Sequence, residues 1–129
     1  MNKTVILLTF VLGLIFISSC SKRVIDCGTD TACFSKNFKT CTLSKIYGGA
    51  TEIKGGTAQY CEIYFESAAS ELAKLDKMSM ICTVKDTASY KDYEMNAVYV
   101  FEKKSECKGT LADTYSEIYK MAEDIQNKK

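Results

Sequence analysis

The side chains best equipped for chemistry are six cysteines, Cys27, Cys33, Cys41, Cys61, Cys82 and Cys107, in a chain of 129 residues. Thiolates can attack, ligate a metal or pair as disulfides, and spacing and neighbours decide between these fates. No two of them form a Cys-x-x-Cys pair, and the chain contains no histidine. A redox dithiol and a zinc ribbon therefore lack their local geometry, and a serine or cysteine nucleophile lacks its usual base. An even set with irregular spacing reads as three structural disulfides. Five glutamates, Glu62, Glu66, Glu71, Glu94 and Glu102, are candidates for paired acid and base. They alternate with apolar residues and read as solvated, so no catalytic residue is assigned. Gly48-Gly49 and Gly55-Gly56 are followed by no Gly-Lys-Ser/Thr and make no phosphate loop. No metal and no cofactor is expected. Tyr60, Tyr64, Tyr90, Tyr93, Tyr115 and Tyr119 could line an aromatic binding surface, although tyrosine is also an ordinary residue of half-buried sheets and helices.

Elements of a small α+β domain must position these groups. Thr29 or Asp30 can cap a helix over 31–40, in which Phe34, Phe38 and Cys41 recur at helical spacing. Residues 45–54 and 57–66 read as a hairpin turning at Gly55-Gly56, with Cys61, Ile63 and Phe65 on its buried face. Residues 67–76, with Ala68, Ala69, Leu72 and Leu75, form a brief helix or turn. Met78, Met80, Cys82 and Val84 share one face of the next strand, and residues 86–92 are a polar loop. The run Tyr93 to Glu102 is apolar on both faces and is predicted to be a central strand. Thr110 starts a helix whose stripe of Leu111, Tyr115, Ile118, Ala122 and Ile125 is predicted to cover the sheet, the alternative being a partner seam. The expected fold is a small antiparallel sheet of about four strands with the N- and C-terminal helices on one face. Within it Cys33 and Cys41 lie about 12 Å apart along one helix and cannot join. Cys27–Cys33 and Cys61–Cys82 are the favoured pairs, which leaves Cys41–Cys107.

The N-terminus carries a different signal. Lys3 precedes an apolar run from Val5 to Ile17, too short for an ordinary spanning helix, and small polar residues follow. This is the layout of a secretory signal peptide. Its last residues, Ile17-Ser18-Ser19-Cys20, resemble the lipobox of prokaryotic membrane lipoproteins. That resemblance implies cleavage after residue 19, a lipid on Cys20 and a lipidated tether over 20–26. It also implies attachment on the extracytoplasmic side of a membrane, the outer membrane in a two-membrane cell because Ser21 is not aspartate. Ordinary secretion and an uncleaved anchor are the alternatives. Asp26-Cys27-Gly28-Thr29-Asp30, with Cys33-Phe34 and Cys41-Thr42, is similar to a pattern in small uncharacterised exported prokaryotic domains and implies no activity.

Setting Cys20 aside accounts for the odd seventh cysteine. With Lys3 removed, 16 of the 17 basic residues remain against 16 acidic ones. A neutral balance with no basic cluster speaks against a nucleic-acid partner. Residues 27–129 make one domain by length. A chain of this size buries only about two-thirds of its unfolded surface and gains from staples. The expected function is that of a membrane-anchored, non-enzymatic binding or structural module. An inhibitor of a cell-wall or host enzyme, presenting residues 86–92 or 48–56, is the alternative, and a carboxylate-based hydrolase is the third.

Overall fold

The computed structural model describes residues 22–68, 76–103 and 105–128. The signal segment, Cys20, Glu71 and most of the expected 67–76 element, including Leu72 and Leu75, lie outside the described residues. The fold is α+β. Six strands form one mixed sheet in chain order, β1 (Ile25–Asp26), β2 (Ser44–Ile46), β3 (Thr51–Thr57), β4 (Tyr60–Glu66), β5 (Ser79–Val84) and β6 (Glu106–Lys108). Three helices, α1 (Thr31–Thr40), α2 (Ala97–Glu102) and α3 (Thr110–Asn127), join it through a single apolar core. The sheet is larger than the expected four strands and not wholly antiparallel. The extra strands at its two edges are two and three residues long, too short to show periodicity, and β1 runs parallel to β2. The last two residues of the expected tether thus belong to the sheet.

The core follows from alternation. In β4 the side chains of Cys61, Ile63 and Phe65 point inward, and in β5 those of Met80, Cys82 and Val84 do, all at most 2% exposed. Phe34 and Phe38 of α1, Val100 of α2 and Leu111 of α3 close over them. The hairpin turns at residues 58–59, three residues beyond the expected Gly55-Gly56. Those glycines lie inside β3, where the register slips between Ile53 and Gly55. A Cβ on Gly56 would strike the Tyr60 carbonyl, so the strand can approach its partner only because none is there.

The expected central strand at 93–102 is instead a tight turn over Asp92–Glu94 followed by α2. A short apolar run fits either period, and Asn96 decides it locally. Its side-chain oxygen accepts the Tyr99 amide and caps the helix. The helical period then sends Val100 into the core, with Ala97 and Phe101 beside it, and leaves Val98 and Tyr99 exposed.

Three disulfides staple the domain. Cys27 joins Cys33, Cys41 joins Cys61 and Cys82 joins Cys107. The favoured Cys61–Cys82 and Cys41–Cys107 pairs are therefore replaced. In the β4–β5 register Cys61 stands opposite Val84 and Cys82 opposite Ile63. The two cysteines are diagonal neighbours, at about 7–8 Å the wrong reach for a bridge. Cys107 on β6 lies directly across from Cys82, with the Cα atoms 4.0 Å apart. Cys41 ends α1 in the left-handed conformation (φ 53°), its amide donating back to the Asn37 and Phe38 carbonyls. That turn sets its Cα 5.7 Å from that of Cys61.

Candidate functional site

A cleft of about 270 Å³ opens between α1, the turn before β3, the end of β4 and the segment leading into α2. Its floor is core: Phe34, Ile46 and Phe65 are at most 4% exposed, with Met95 beside them. Its rim is polar. Thr31 and Ser35 come from α1, Tyr47 and Thr51 flank β3, and Glu66, Asp92 and Asn96 complete it. An apolar floor with a few hydrogen-bonding groups is the usual make-up of a ligand site.

Local sequence explains the walls. Asp30 caps α1, its carboxylate accepting the amides of Ala32 (2.9 Å) and Cys33 (3.1 Å). Ser35 thereby faces the cleft one turn in. Tyr47 has φ 55°, a conformation that L residues seldom adopt, and it precedes Gly48 and Gly49, both also at positive φ. Its amide donates to the Gly28 carbonyl at 2.7 Å, which ties this tip to the loop closed by Cys27–Cys33. The ring stands 55% exposed beside the cleft. Asp92 is held from α1, with the Ser35 hydroxyl donating to it at 2.7 Å and Lys39 Nζ at 3.1 Å.

Asp92 at the rim and the neighbouring Glu66, whose carboxylate turns to Tyr64 and Lys77, are both kept ionised. Hydrogen bonds from Ser35 and Lys39 hold Asp92 below the usual carboxylate range. Glu66 accepts Lys77 Nζ at 3.1 Å and the Tyr64 hydroxyl at 2.9 Å, and these bonds lower it likewise. A general acid in this setting needs a raised value. These groups can accept hydrogen bonds and attract a donor, and they have no proton to give near neutral pH.

The other expected glutamates are dispersed. Glu62 projects from the outer face of the sheet beside Ile81 and Lys108. Glu94 accepts the Lys91 amide (2.8 Å) and Lys103 Nζ (2.9 Å), and Glu102 accepts the Tyr119 hydroxyl. The six expected tyrosines do not gather on one surface either. Tyr60 and Tyr64 lie on the outer face of the sheet near Lys85 and Lys54. Tyr90 is buried against Phe38, and Lys103 sits 4.4 Å above its ring. Tyr93 meets Tyr99, while Tyr115 and Tyr119 flank Phe101. None of the six lines the cleft, and the sequence reading passed over the one tyrosine that does. The signal for Tyr47 was present: a large aromatic placed directly before a glycine pair is displayed at the tip of a turn.

Of the two candidate inhibitory loops, 86–92 is not free. Thr87 is fully buried, its amide donates to the Ala58 carbonyl at 2.8 Å, and its hydroxyl is shared between the Lys39 and Ala58 carbonyls, 3.1 Å from each. Among the described residues no group of three or more Cys, Asp or Glu could hold a metal ion, and no helix is long and apolar enough to cross a membrane. No protein-family model, no curated protein and no solved structure matches the chain.

Proposed function

We propose that the protein is a membrane-anchored extracytoplasmic lipoprotein, held through lipidated Cys20, whose disulfide-bonded domain is a non-enzymatic binding module working through the cleft between α1 and the turn at Tyr47. The carrying observation is the make-up of that cleft. Its floor is buried and apolar, and Asp92 at its rim is held ionised by Ser35 and Lys39, so it suits retention of a ligand better than proton transfer. The complementary ligand has an apolar body and a hydrogen-bond donor at its margin, within reach of Asp92. Three disulfides suit an oxidising compartment, in keeping with export.

One observation favours a second reading, inhibition of a cell-wall or host enzyme. The tip at Tyr47 is rigid, exposed and tied to a disulfide loop, which is how an inhibitor presents a side chain. Of the expected segment 48–56 only residues 48–50, directly after Tyr47, lie outside β3 and belong to this tip.

Both readings are tested on the envelope-derived protein with two probes, peptidoglycan and lysozyme. Retention of peptidoglycan that is lost in Tyr47→Ala supports the binding module. Slowing of lysozyme, also lost in Tyr47→Ala, supports the inhibitor. Release of sugar from peptidoglycan by the purified chain overturns the non-enzymatic reading. Mass spectrometry of the mature protein should find a lipid-modified Cys20 as the first residue, and an unmodified start further along would overturn the anchor.

A further inference from the structure

The C-terminal helix carries an apolar face of which the described residues cover only the first part. On a helical projection at about 100° per residue, every charged side chain from Asp113 to Lys128 falls on one arc. The opposite arc, roughly 160° wide, holds Leu111, Tyr115, Ile118, Tyr119, Met121, Ala122 and Ile125 with no charge among them. Leu111 is 4% exposed and Tyr115 is half-buried, so the stripe begins in the core. From residue 117 every residue to 128 is exposed, although Tyr119 still stacks on Phe101 and donates to Glu102, and α3 runs clear of these contacts beyond it. Ile118, Tyr119, Met121 and Ile125 are 50, 39, 57 and 65% exposed. The expectation that this stripe covers the sheet is thus met only in its first turn and a half. Being independent of the cleft, the remainder is a second surface.

We propose that the exposed half of α3 pairs antiparallel with α3 of a second copy of this chain, forming a two-fold symmetric dimer. Three arguments favour this occupant. First, the flanks are self-complementary. Glu117 and Lys128 border the stripe on one side, and Tyr119 and Gln126 border it on the other. Reversing one helix about the point midway between residues 122 and 123 sets Glu117 of each copy beside Lys128 of the other. The same operation sets each Tyr119 beside the other Gln126, and stacks Ile118, Ala122 and Ile125 across the axis. A two-fold interface of this isologous kind repeats each contact twice.

Second, the apolar area supplies most of what association needs, the polar flanks having to supply the rest. Side chains of this size offer about 150–250 Å² each. At the exposures above, the four leave roughly 400 Å² on each helix, or about 800 Å² over two copies, before polar flanks are counted, close to the lower bound of about 1,000 Å² for specific association. Third, a lipid surface fits poorly. The polar arc carries Asp113, Glu117, Glu123 and Asp124 against Lys120 and Lys128, whereas membrane-lying helices are rich in basic residues there. The helix also starts from β6, at the opposite sheet edge from β1 and the tether, about 24 Å away across five strand spacings.

The test uses the full chain in the envelope of expressing cells. A benzophenone amino acid replaces Met121, two differently tagged copies are co-expressed, and the cells are irradiated. The expected product carries both tags, with the cross-link near Asp124 of the other copy by mass spectrometry. Ile118→Glu with Ile125→Glu should lower its yield about tenfold or more, while export and the three disulfides are retained, since both positions are exposed. Lys128→Glu should reduce the yield, and adding Glu117→Lys should restore it. Cross-linking only to lipid, only to another protein or only to Leu72 or Leu75 of the same copy would overturn the proposal, as would no adduct or a yield indifferent to the Ile118 and Ile125 changes.

Discussion

Helices α1 and α3 carry the same kind of pattern and meet opposite fates. Each has apolar residues three and four positions apart. In α1 both phenylalanines are buried, and the ten-residue helix is tied near its start by Cys33 and at its end by Cys41. In α3 only Leu111 and Ala112 are buried out of 18 residues, and its nearest tie, Cys107, lies before its first turn. Periodicity reports which face of a helix is apolar, and the tertiary structure alone decides what lies against that face. A helix stapled at both ends is held down along its length; one stapled at its root can carry its stripe past the edge of the sheet.

The largest effect that would break this contrast lies in the core. Phe38 is fully buried and packs against Phe34 and Tyr90. Phe38→Ala is expected to cost about 3–5 kcal/mol by denaturant unfolding. Ile125→Ser, at an equally apolar position of α3, should stay within about 0.5 kcal/mol in dilute monomeric protein. Equal losses at the two sites would remove the distinction.

The staples come next. Replacing Cys41 and Cys61 together by alanine opens a link of sequence separation 20 and should cost about 3 kcal/mol, as should opening Cys82–Cys107. Opening Cys27–Cys33, at separation 6, should cost about 2 kcal/mol. Amide exchange sharpens the prediction: loss of Cys41–Cys61 should release the end of α1 and leave α3 unchanged. Protection lost first from α3 would contradict it. Smaller again is the cap of α1. Asp30→Ala should cost about 1 kcal/mol, whereas α3 has no side-chain cap from Gly109 to lose.

The smallest effects are those of pH. Glu66 and Asp92 have lowered values in the folded state, so they bind protons less readily there than in the unfolded chain. Their contribution is present above the ordinary carboxylate range near pH 4 and is lost as the pH falls through the folded values. Lys39→Met should flatten this acid limb slightly, and an unchanged limb would show that the Asp92 pairing is immaterial. Tyr119 behaves in the opposite sense. Its hydrogen bond to Glu102 raises it to about 12, so the stability it adds is fully present below pH 10, the ordinary value, and is lost as the pH rises from there through about 12. Burial also raises Tyr115, so phenolate absorbance should show a late-titrating component that Tyr119→Phe reduces by one tyrosine.

The candidate site was only half legible. The apolar alternation of β4 and the helical spacing of Phe34 and Phe38 point to the surfaces that make its floor. The rim came from segments with no periodicity. Tyr47 sits on a positive-φ turn, Asp92 ends the expected polar loop 86–92, and Asn96 belongs to a stretch that alternates like a strand and folds as a turn and helix. A run of ten residues satisfies both periods, and the choice rested on one side chain, Asn96, hydrogen-bonding an amide three residues on.

By itself the sequence determined what depends on residue type and near neighbours. That includes the α+β class, the inward faces of β4 and β5, the cap of α1, the one-sided charge of α3 and the presence of six cysteines for a disulfide set. Only the tertiary structure decided what depends on register and reach. A two-residue offset between β4 and β5 separates Cys61 from Cys82, a left-handed turn carries Cys41 to Cys61, and the end of the sheet leaves the far half of α3 exposed among the described residues. Local preferences act over a few residues and can be read along the chain. Pairing and coverage depend on distances between segments far apart in sequence, and these exist only once the chain has closed on itself.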